Sequence, residues 1–169
     1  MIFIFSGEDG YEVIFNKKYR LSKTESMLNF EEAQERCQTE SGGHLAFIES
    51  DLDYQAIKQI LPINKDVWLG AKTLHSPGGI EKFVWYQDCE EIPSHYNFKL
   101  FHRNDEYSCV TFEKKPNLDI WLNERSCSDT FQYLCQKTCE NEPGKLYKFR
   151  FSFLHFLQHI KPLTSASWF

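Results

Sequence analysis

The stretch IWLNERSC, from Ile120 to Cys127, brings together residue types that could do chemistry. It places an aromatic ring, the amide of Asn123, the carboxylate of Glu124 and a thiol within eight residues. Amide and carboxylate oxygens bind calcium when about six to eight oxygens converge on the ion. The stretch is therefore a calcium site, the remnant of one, or a piece of core beside a disulfide.

A second group of residues has nearly the spacing of a zinc site. Cys135, Cys139, His155 and His159 read C-x3-C-x15-H-x3-H, and four nitrogen and sulfur ligands complete a tetrahedron around zinc. The usual middle spacer of a zinc finger is about 12 residues, so the match is imperfect. A zinc-binding C-terminal segment is the alternative from a different class of function.

Motifs for catalysis or for binding nucleic acid are absent from the sequence. It has no G-x-S-x-G, no H-E-x-x-H and no glycine-rich phosphate loop, the patterns that mark common hydrolytic and nucleotide sites. The net charge of -5 comes from 19 basic and 24 acidic residues without basic blocks, so no surface for nucleic acid is indicated. We expect neither an enzyme nor a nucleic-acid partner.

The cysteine content favours disulfides and an oxidising compartment. Six cysteines are many for 169 residues, and no C-x-x-C pair occurs, which is typical of exported proteins. The opening MIFIF is shorter than the apolar stretch of roughly 7–15 residues in a signal peptide. Either the chain is a fragment or alternative product of a larger exported or membrane protein, which is the interpretation that we prefer, or the disulfide interpretation is wrong.

Two helices are predicted before the middle of the chain. Asn29 with Glu32 three positions later resembles a capping box, so the first helix begins at Phe30 and ends at Gly42-Gly43. Its apolar stripe includes Cys37, which therefore faces inward. Ser50 and Asp53 open a second helix that Pro62 ends. The predicted buried side of this helix is Leu52, Ala56, Ile60 and Leu61.

Short apolar runs separated by turn residues predict the strands. The first is HLAFI, and the others follow the second helix, so the helices largely precede the strands in an α+β order. The predicted strands are His44 to Ile48, 67–71, 83–86, 108–112, 120–122 and 131–135.

Residues 145–169 differ from the rest in composition, being basic, rich in Phe and free of acids. Charged residues and histidines interrupt every window of about 20 residues, the length of a membrane span. We expect a poorly ordered terminal extension, with an amphipathic surface helix as the alternative.

Seven segments in a fixed order resemble a C-type lectin-like domain over about Tyr19 to Lys137. The resemblance divides the chain into an N-terminal extension (1–18), this domain (19–137) and a C-terminal tail (138–169). The segments are FEEAQERC, GGHLAFIES, VWLGA, FVWYQD, YSCVTF, WLNERSC and FQYLCQK.

The resemblance implies a fold of two helices flanking two small antiparallel sheets, with a long loop region that binds ligands. It implies disulfides between Cys37 and Cys135 and between Cys109 and Cys127. Trp68 is then a core residue, and His44 has a structural role. Cys89 and Cys139 have no place in this pattern, so they are unpaired or form a covalent dimer.

The family's calcium and sugar motif is incomplete in this chain. Sugar-binding members use E-P-N or Q-P-D before the third cysteine, but KLFHRNDEYS, the ten residues before Cys109, contains no proline. Asn123 and Glu124 align with the Asn-Asp of the family's W-N-D element, with Leu122 at the Trp position. They form half of a degenerate calcium site, and we expect both side chains to be solvated or to hydrogen-bond the loop.

The resulting prediction is an extracellular binding module for a glycan or a cell-surface protein, without a required cofactor. The alternative is calcium-dependent carbohydrate binding through the degenerate site. Ligand contacts are expected in the loops from about Leu74 to Ser108. The candidate contact residues are Tyr96, Phe101, His102, Arg103, Asn104, Asp105 and Glu106.

Overall fold

The computed structural model describes residues 5–6, 10–14, 16–75, 81–93, 99–101 and 109–138. The chain divides into Met1–Cys139 and Glu140–Phe169, and all described residues belong to the first unit. The Phe-rich segment 145–169 lies outside the described residues. Among the described residues, no helix is long and apolar enough to cross a membrane.

The described unit contains helices and strands in the following order along the chain. The helices are α1 (Phe30–Ser41) and α2 (Asp51–Ile60). The strands are β1 (Phe5–Ser6), β2 (Glu12–Ile14), β3 (Lys17–Leu21), β4 (His44–Leu45), β5 (Asp66–His75), β6 (Glu81–Trp85), β7 (Lys99–Phe101), β8 (Cys109–Lys114), β9 (Ile120–Arg125) and β10 (Gln132–Thr138).

Helix α1 begins and ends where its local sequence predicts. The Asn29 side chain accepts a hydrogen bond from the backbone N–H of Glu32 at 2.9 Å, and the Glu32 carboxylate accepts one from Asn29 N–H at 3.4 Å. Gly42 closes the helix with φ 63°, the left-handed conformation that glycine adopts without a steric penalty. Cys37 is fully buried on the inner face, as predicted.

Helix α2 begins at the predicted cap, because the Ser50 hydroxyl accepts a hydrogen bond from the N–H of Asp53 at 3.2 Å. The prediction for its buried side is wrong at Leu52, which is 53% exposed. The residue that faces inward near the start of the helix is instead Asp53, which binds Lys17 and Tyr19 of β3. The helix therefore turns a polar residue, rather than the neighbouring leucine, toward the core.

The sheet is mixed, with strand order β1-β2-β3-β10-β5-β8-β9-β7, while β4 pairs with β10 and β6 with β5. Two pairs, β10 with β5 and β7 with β9, are parallel. The predicted α+β order is confirmed for β5 to β10, which follow both helices, whereas β1, β2 and β3 precede the helices and were not predicted. Residues 1–18 thus supply strands to the sheet rather than only an extension.

The predicted strand HLAFI is also too long. The ladder between β4 and β10 covers only His44 and Leu45. Beyond it, the N–H of Ala46 donates to Leu134 O at 2.8 Å, and that of Phe47 to the side chain of Gln136 at 3.2 Å. Since these N–H groups find other partners, the ladder ends.

The buried apolar residues form two clusters on opposite sides of the central strands. The larger one lies between the sheet and α2 and includes Leu69, Phe112 and Leu122. The smaller one lies under α1 and includes Phe30, Trp68 and Cys37. Trp68 is fully buried, and its indole N–H donates to Leu28 O at 3.0 Å, so its predicted core role is confirmed.

Candidate ligand-binding site

Strand β9 carries both residues of the degenerate calcium site, Asn123 and Glu124. Each residue forms a ladder pair with β8, Thr111 opposite Asn123 and Val110 opposite Glu124. Because successive side chains of a strand point to opposite faces, this ladder sends the two side chains to opposite sides of the sheet. Both are buried, at 3% and 2% exposure, so of the two expected alternatives, solvation or a hydrogen bond to the loop, solvation is wrong.

The Asn123 side chain holds two carboxylates on the face of the sheet toward α1. Its Nδ2 donates to Oδ1 of Asp66 at 2.9 Å and to Oε2 of Glu113 at 3.0 Å. Asp66 and Glu113 are themselves directly opposite each other on β5 and β8, a placement of like charges that is unfavourable without a shared donor. The amide of Asn123 supplies that donor.

Asp66 also accepts hydrogen bonds from two further side chains. Arg125 binds its Oδ2 at 3.0 Å, and the Thr111 hydroxyl donates to its Oδ1. Burial opposes ionisation of Asp66, but the hydrogen bonds from Thr111, Asn123 and Arg125 outweigh it and hold the pKa of the carboxyl below its usual value. Asp66 is therefore a fully ionised structural acceptor at neutral pH.

Glu124 has a separate partner on the other face of the sheet. Its Oε1 accepts a hydrogen bond from the Thr73 hydroxyl at 3.1 Å. A shift in the register of β5 between Trp68 and Ala71 sets the position of Thr73 along that strand. The carboxylate thus lies on the apolar side of the sheet, where the Thr73 hydroxyl is one of its partners.

The two residues of the predicted half-site therefore do not meet. Calcium requires several oxygens around one point, whereas Asn123 binds Asp66 on one face of β9 and Glu124 binds Thr73 on the other. Within the described ranges, no group of three or more His, Cys, Asp or Glu side chains could hold a metal ion. Sequence reasoning missed Asp66 and Thr111, although Cys109-x-Thr111-x-Glu113 has the alternation of a polar strand face.

The strands around this site share one end of the sheet, where β5, β7 and β9 finish and β8 starts. Strand β9 is antiparallel to β8 and parallel to β7, and β5 is antiparallel to β8. The chain therefore leaves β5 after His75 and β7 after Phe101, and it enters β8 at Cys109, all at the end where β9 finishes. The intervening segments 76–80 and 102–108 both start and finish at this end.

The candidate contact residues belong mainly to these segments. The backbone of Phe101 is in β7, directly opposite Asn123 of β9. The other candidates lie outside the described residues, and they are Tyr96, His102, Arg103, Asn104, Asp105 and Glu106. The patch as a whole stays a prediction.

Two disulfides hold the strands on either side of the site. Cys109 at the start of β8 is bonded to Cys127 just after β9, and Cys37 of α1 is bonded to Cys135 of β10. These are the pairs that the resemblance implies. Because its sulfur is in a disulfide, Cys135 is not a thiolate ligand for zinc; Cys139, His155 and His159 of that alternative lie outside the described residues.

Cys89 and His44 have no part in these strands' polar network. Cys89 is exposed and not in a disulfide, with φ 60° in the turn after β6. The Nδ1 atom of His44 lies 2.8 Å from Leu45 O, and its ring packs 5.0 Å from that of Phe47. These contacts are consistent with a structural role for His44.

Comparison with known proteins adds a family and a set of similar folds. Residues 26–137 match the family model for the lectin C-type domain. A comparison with curated protein sequences finds no match.

Solved structures that resemble this fold include the following three. The C-type lectin domain of murine dendritic cell inhibitory receptor 2, in complex with N-glycan, is 19% identical, with TM-score 0.60, covering 79% of this chain and 99% of that one. The carbohydrate-recognition domain of mouse scavenger receptor C-type lectin is 20% identical, with TM-score 0.59 and coverages of 81% and 100%. A calcium-independent type II antifreeze protein is 18% identical, with TM-score 0.54 and coverages of 80% and 96%. Identities this low show a shared fold.

Proposed function

Because the chain belongs to the C-type lectin domain family, as the ordered segments in its sequence predict, we propose that it is a calcium-independent binding module. Its ligand is a glycan or a protein surface. The binding region comprises the segments between β5 and β8. The chemistry is recognition rather than catalysis.

We infer calcium independence from the side chains of Asn123 and Glu124, which lie on opposite faces of β9 and have different partners. Asn123 is used as a donor between Asp66 and Glu113, and Glu124 is bound by Thr73. Recruiting both residues to one ion would require breaking these hydrogen bonds and reversing one side chain across the sheet. The missing proline motif before Cys109 removes the usual second half of the site.

The observation that supports binding through the loops is the common end of the strands. Strands β5 and β6 fix the two ends of segment 76–80, and β7 and β8 fix those of segment 102–108, all at the same end of the sheet. Binding residues are commonly found on loops that a rigid scaffold holds in place. The Cys109–Cys127 disulfide strengthens this scaffold where the second segment enters β8.

The descriptions of two similar proteins suggest which class of ligand to test first. One was determined with an N-glycan, and one is described as a carbohydrate-recognition domain. A third is described as calcium-independent. These descriptions favour a glycan as the first ligand to test, with a protein surface as the other.

Two disulfides also favour a site of action outside the cytosol. Structural disulfides persist in oxidising compartments such as the extracellular space and the secretory lumen. We therefore assign the domain to an extracellular or secreted setting. A covalent dimer through Cys89 or Cys139 stays a prediction.

The test is a glycan array probed with the full chain, once in calcium and once in chelator. We expect the same glycans to be bound in both conditions. Phe101→Ala and Arg103→Ala should weaken binding, whereas Lys65→Ala, at an exposed position just before β5, should not. Loss of binding in chelator would contradict the proposal and favour calcium-dependent binding.

A further inference from the structure

Tyr11 has a buried phenol that the fold does not satisfy. The residue is 3% exposed, and its hydroxyl has no hydrogen-bond partner among the described residues. Buried polar groups nearly always have a partner, so an orphan in a native fold requires an explanation. Tyr11 immediately precedes β2, which is separated from β5 by β3 and β10 in the sheet, so this hydroxyl is not part of the binding region described above.

Cations surround the ring of Tyr11. The guanidinium carbon of Arg20 lies 4.9 Å from the ring centroid, and Nζ of Lys137 lies 4.5 Å from it. Both distances are within the range of cation–π attraction. Tyr11 immediately precedes β2, Arg20 is in β3 and Lys137 is in β10, and the sheet places these three strands next to one another.

A third cation, Arg36, and one acid among the described residues, Glu40, complete the cluster. Glu40 near the end of α1 binds Arg20 at 2.7 Å and Arg36 at 3.0 Å. The positive charges of Arg20, Arg36 and Lys137 therefore exceed the negative charge of Glu40. No other ion pair of Arg20, Arg36 or Lys137 is found among the described residues.

The cluster has many hydrogen-bond donors and few acceptors. Each guanidinium offers five N–H donors, an ammonium offers three, and a phenol offers one. Among the described side chains of the cluster, the carboxylate of Glu40 accepts the hydrogen bonds from both Arg20 and Arg36. A ligand that fits must therefore supply acceptor oxygens and negative charge.

The influences on the pKa of Tyr133 indicate that the residues of this cluster lie close to one another. Burial raises the pKa of Tyr133 above its usual value, Glu40 and Tyr11 raise it further, and Arg36 and Arg20 lower it. Tyr133 is on β10, two residues before Cys135, which is bonded to α1. The phenols, the arginines and Glu40 thus lie around the junction of α1 with β3 and β10.

We propose that Tyr11, Arg20 and Lys137 form a second binding site, specific for an oxyanion such as a sulfate ester or a carboxylate. The Tyr11 hydroxyl donates one hydrogen bond to the anion, and the two cations balance its charge. Arg36 lies at the outer edge, where it is half-exposed. The same chemistry is found in free inorganic anions and in acidic sugars.

The side chain of Lys137 can move to meet an anion. Lys137 is half-buried in the structure, and in the described part of the chain its ammonium has only the ring contact with Tyr11. A lysine side chain held by one ring contact is free to rotate toward an incoming anion. Arg20 retains donors beyond the one that binds Glu40.

The experiment titrates the full chain with three probes, each compared with sodium chloride at matched ionic strength. The probes are sodium sulfate, 6-sulfo-N-acetylglucosamine and N-acetylneuraminic acid. Calorimetry gives the dissociation constant, and thermal unfolding gives the midpoint. The variants are Tyr11→Phe, which removes only the hydroxyl, and Lys137→Gln, with Lys65→Gln as the matched control at an exposed position.

We expect at least one probe to bind the wild type and to raise its unfolding midpoint. Tyr11→Phe and Lys137→Gln should each weaken binding about tenfold or more, the effect of removing a hydrogen bond or charge from an anion. Lys65→Gln should leave it unchanged. Without an anion, Tyr11→Phe should unfold at the wild-type midpoint or above it, because the lost hydroxyl has no partner among the described residues.

Binding of sulfate alone would assign the site to a free anion, and binding of a sugar would assign it to an acidic glycan; both support the proposal. Equal binding by the wild type and Tyr11→Phe would overturn it and indicate an adventitious ion only. No binding by any probe would also overturn it. So would a large loss of stability in ligand-free Tyr11→Phe. None of these results depends on calcium or on Phe101, so they are distinct from the test of the loop site.

Discussion

The side-chain amide of Asn123 donates a 2.9 Å hydrogen bond to Oδ1 of Asp66, which lies 57 residues earlier in the chain. Thr111 of the intervening strand donates to the same oxygen. One carboxylate oxygen therefore connects three adjacent strands on one face of the sheet. The asparagine that aligns with the family's W-N-D element is here part of the internal framework.

Replacing Asn123 with Asp should destabilise the fold. The change removes both amide donors and places a third carboxylate beside Asp66 and Glu113, so we expect the free energy of unfolding to fall by about 3 kcal/mol. Urea denaturation at neutral pH measures the change. Asn16→Asp makes the same substitution at an exposed turn position and should cost less than about 0.5 kcal/mol.

Repeating the urea denaturation in calcium and in chelator makes this test more specific. If the Asn123→Asp variant recovered its lost stability in calcium, the three carboxylates would form a metal site, and our interpretation of the network would be wrong. We expect identical urea midpoints in calcium and in chelator for both the wild type and the variant.

Local features were predictable from the sequence, whereas this network was not. The limits of α1 depend on Asn29, Glu32 and Gly42, whose roles are decided within one turn of helix. The contact between Asn123 and Asp66 depends instead on the register that places Thr111 between them. No pattern within β9 alone contains that information.

The N-terminal strands were missed for a related reason. The sequence KKYRL of β3 has neither a clear apolar alternation nor a turn signal, and its first lysine, Lys17, is nevertheless buried. Lys17 is stable there because Asp53 of α2 is within 2.9 Å and Glu49 also binds it. A buried ion pair between distant segments gives the sequence a polar pattern typical of the surface.

The Lys17–Asp53 pair predicts a loss of stability in acid. Burial opposes ionisation of Asp53, but hydrogen bonds from Lys17, Ser50 and Tyr19 lower its pKa below the usual value. The unfolded chain therefore binds a proton more readily than the folded one, and stability rises with pH. The stability that ionised Asp53 contributes is complete above about pH 4, the pKa region of an unperturbed Asp. It disappears as the pH falls through the lower pKa of Asp53 in the folded state.

Asp53→Asn should lower the free energy of unfolding by about 3 kcal/mol at neutral pH, because it leaves the buried Lys17 with one fewer counter-charge. It should also flatten the dependence of stability on pH in the acid range. Urea midpoints measured across that range test both effects. Asp129→Asn, at an exposed position, is the control, and an unchanged acid slope in Asp53→Asn would contradict the assignment.

Removing the two disulfides should have unequal effects. Cys37–Cys135 spans a sequence separation of 98, and Cys109–Cys127 spans 18. On the chain-entropy model, replacing both cysteines of the longer loop with Ala should lower the free energy of unfolding by about 4–5 kcal/mol. The same change in the shorter loop should lower it by about 3 kcal/mol. Chemical denaturation of both variants measures the difference, and a larger loss for the shorter loop would show that strain or residual unfolded structure dominates.

Cys89→Ser is the matched control for the disulfide variants, because Cys89 is exposed and outside both bonds. Its stability should stay within about 0.5 kcal/mol of the wild type. On a non-reducing gel the same variant tests the covalent dimer. A dimer band that disappears with Cys89→Ser would assign the bond to this thiol, and one that persists would exclude it.

Two adjacent glycines allow the effects of backbone conformation and of steric contact to be separated. Gly42 has φ 63° and open space where a side-chain methyl group would lie, whereas a methyl group on Gly43 would collide with the backbone oxygen of Gln136. Gln136 pairs with His44 in the ladder of β4 and β10, so that oxygen cannot move without weakening the ladder. Gly43→Ala should therefore cost about 2–3 kcal/mol and Gly42→Ala about 1 kcal/mol. Urea denaturation of the two variants gives the order, and a larger cost at Gly42 would mean that the helix cap, rather than the close contact of β4 with β10, limits substitution here.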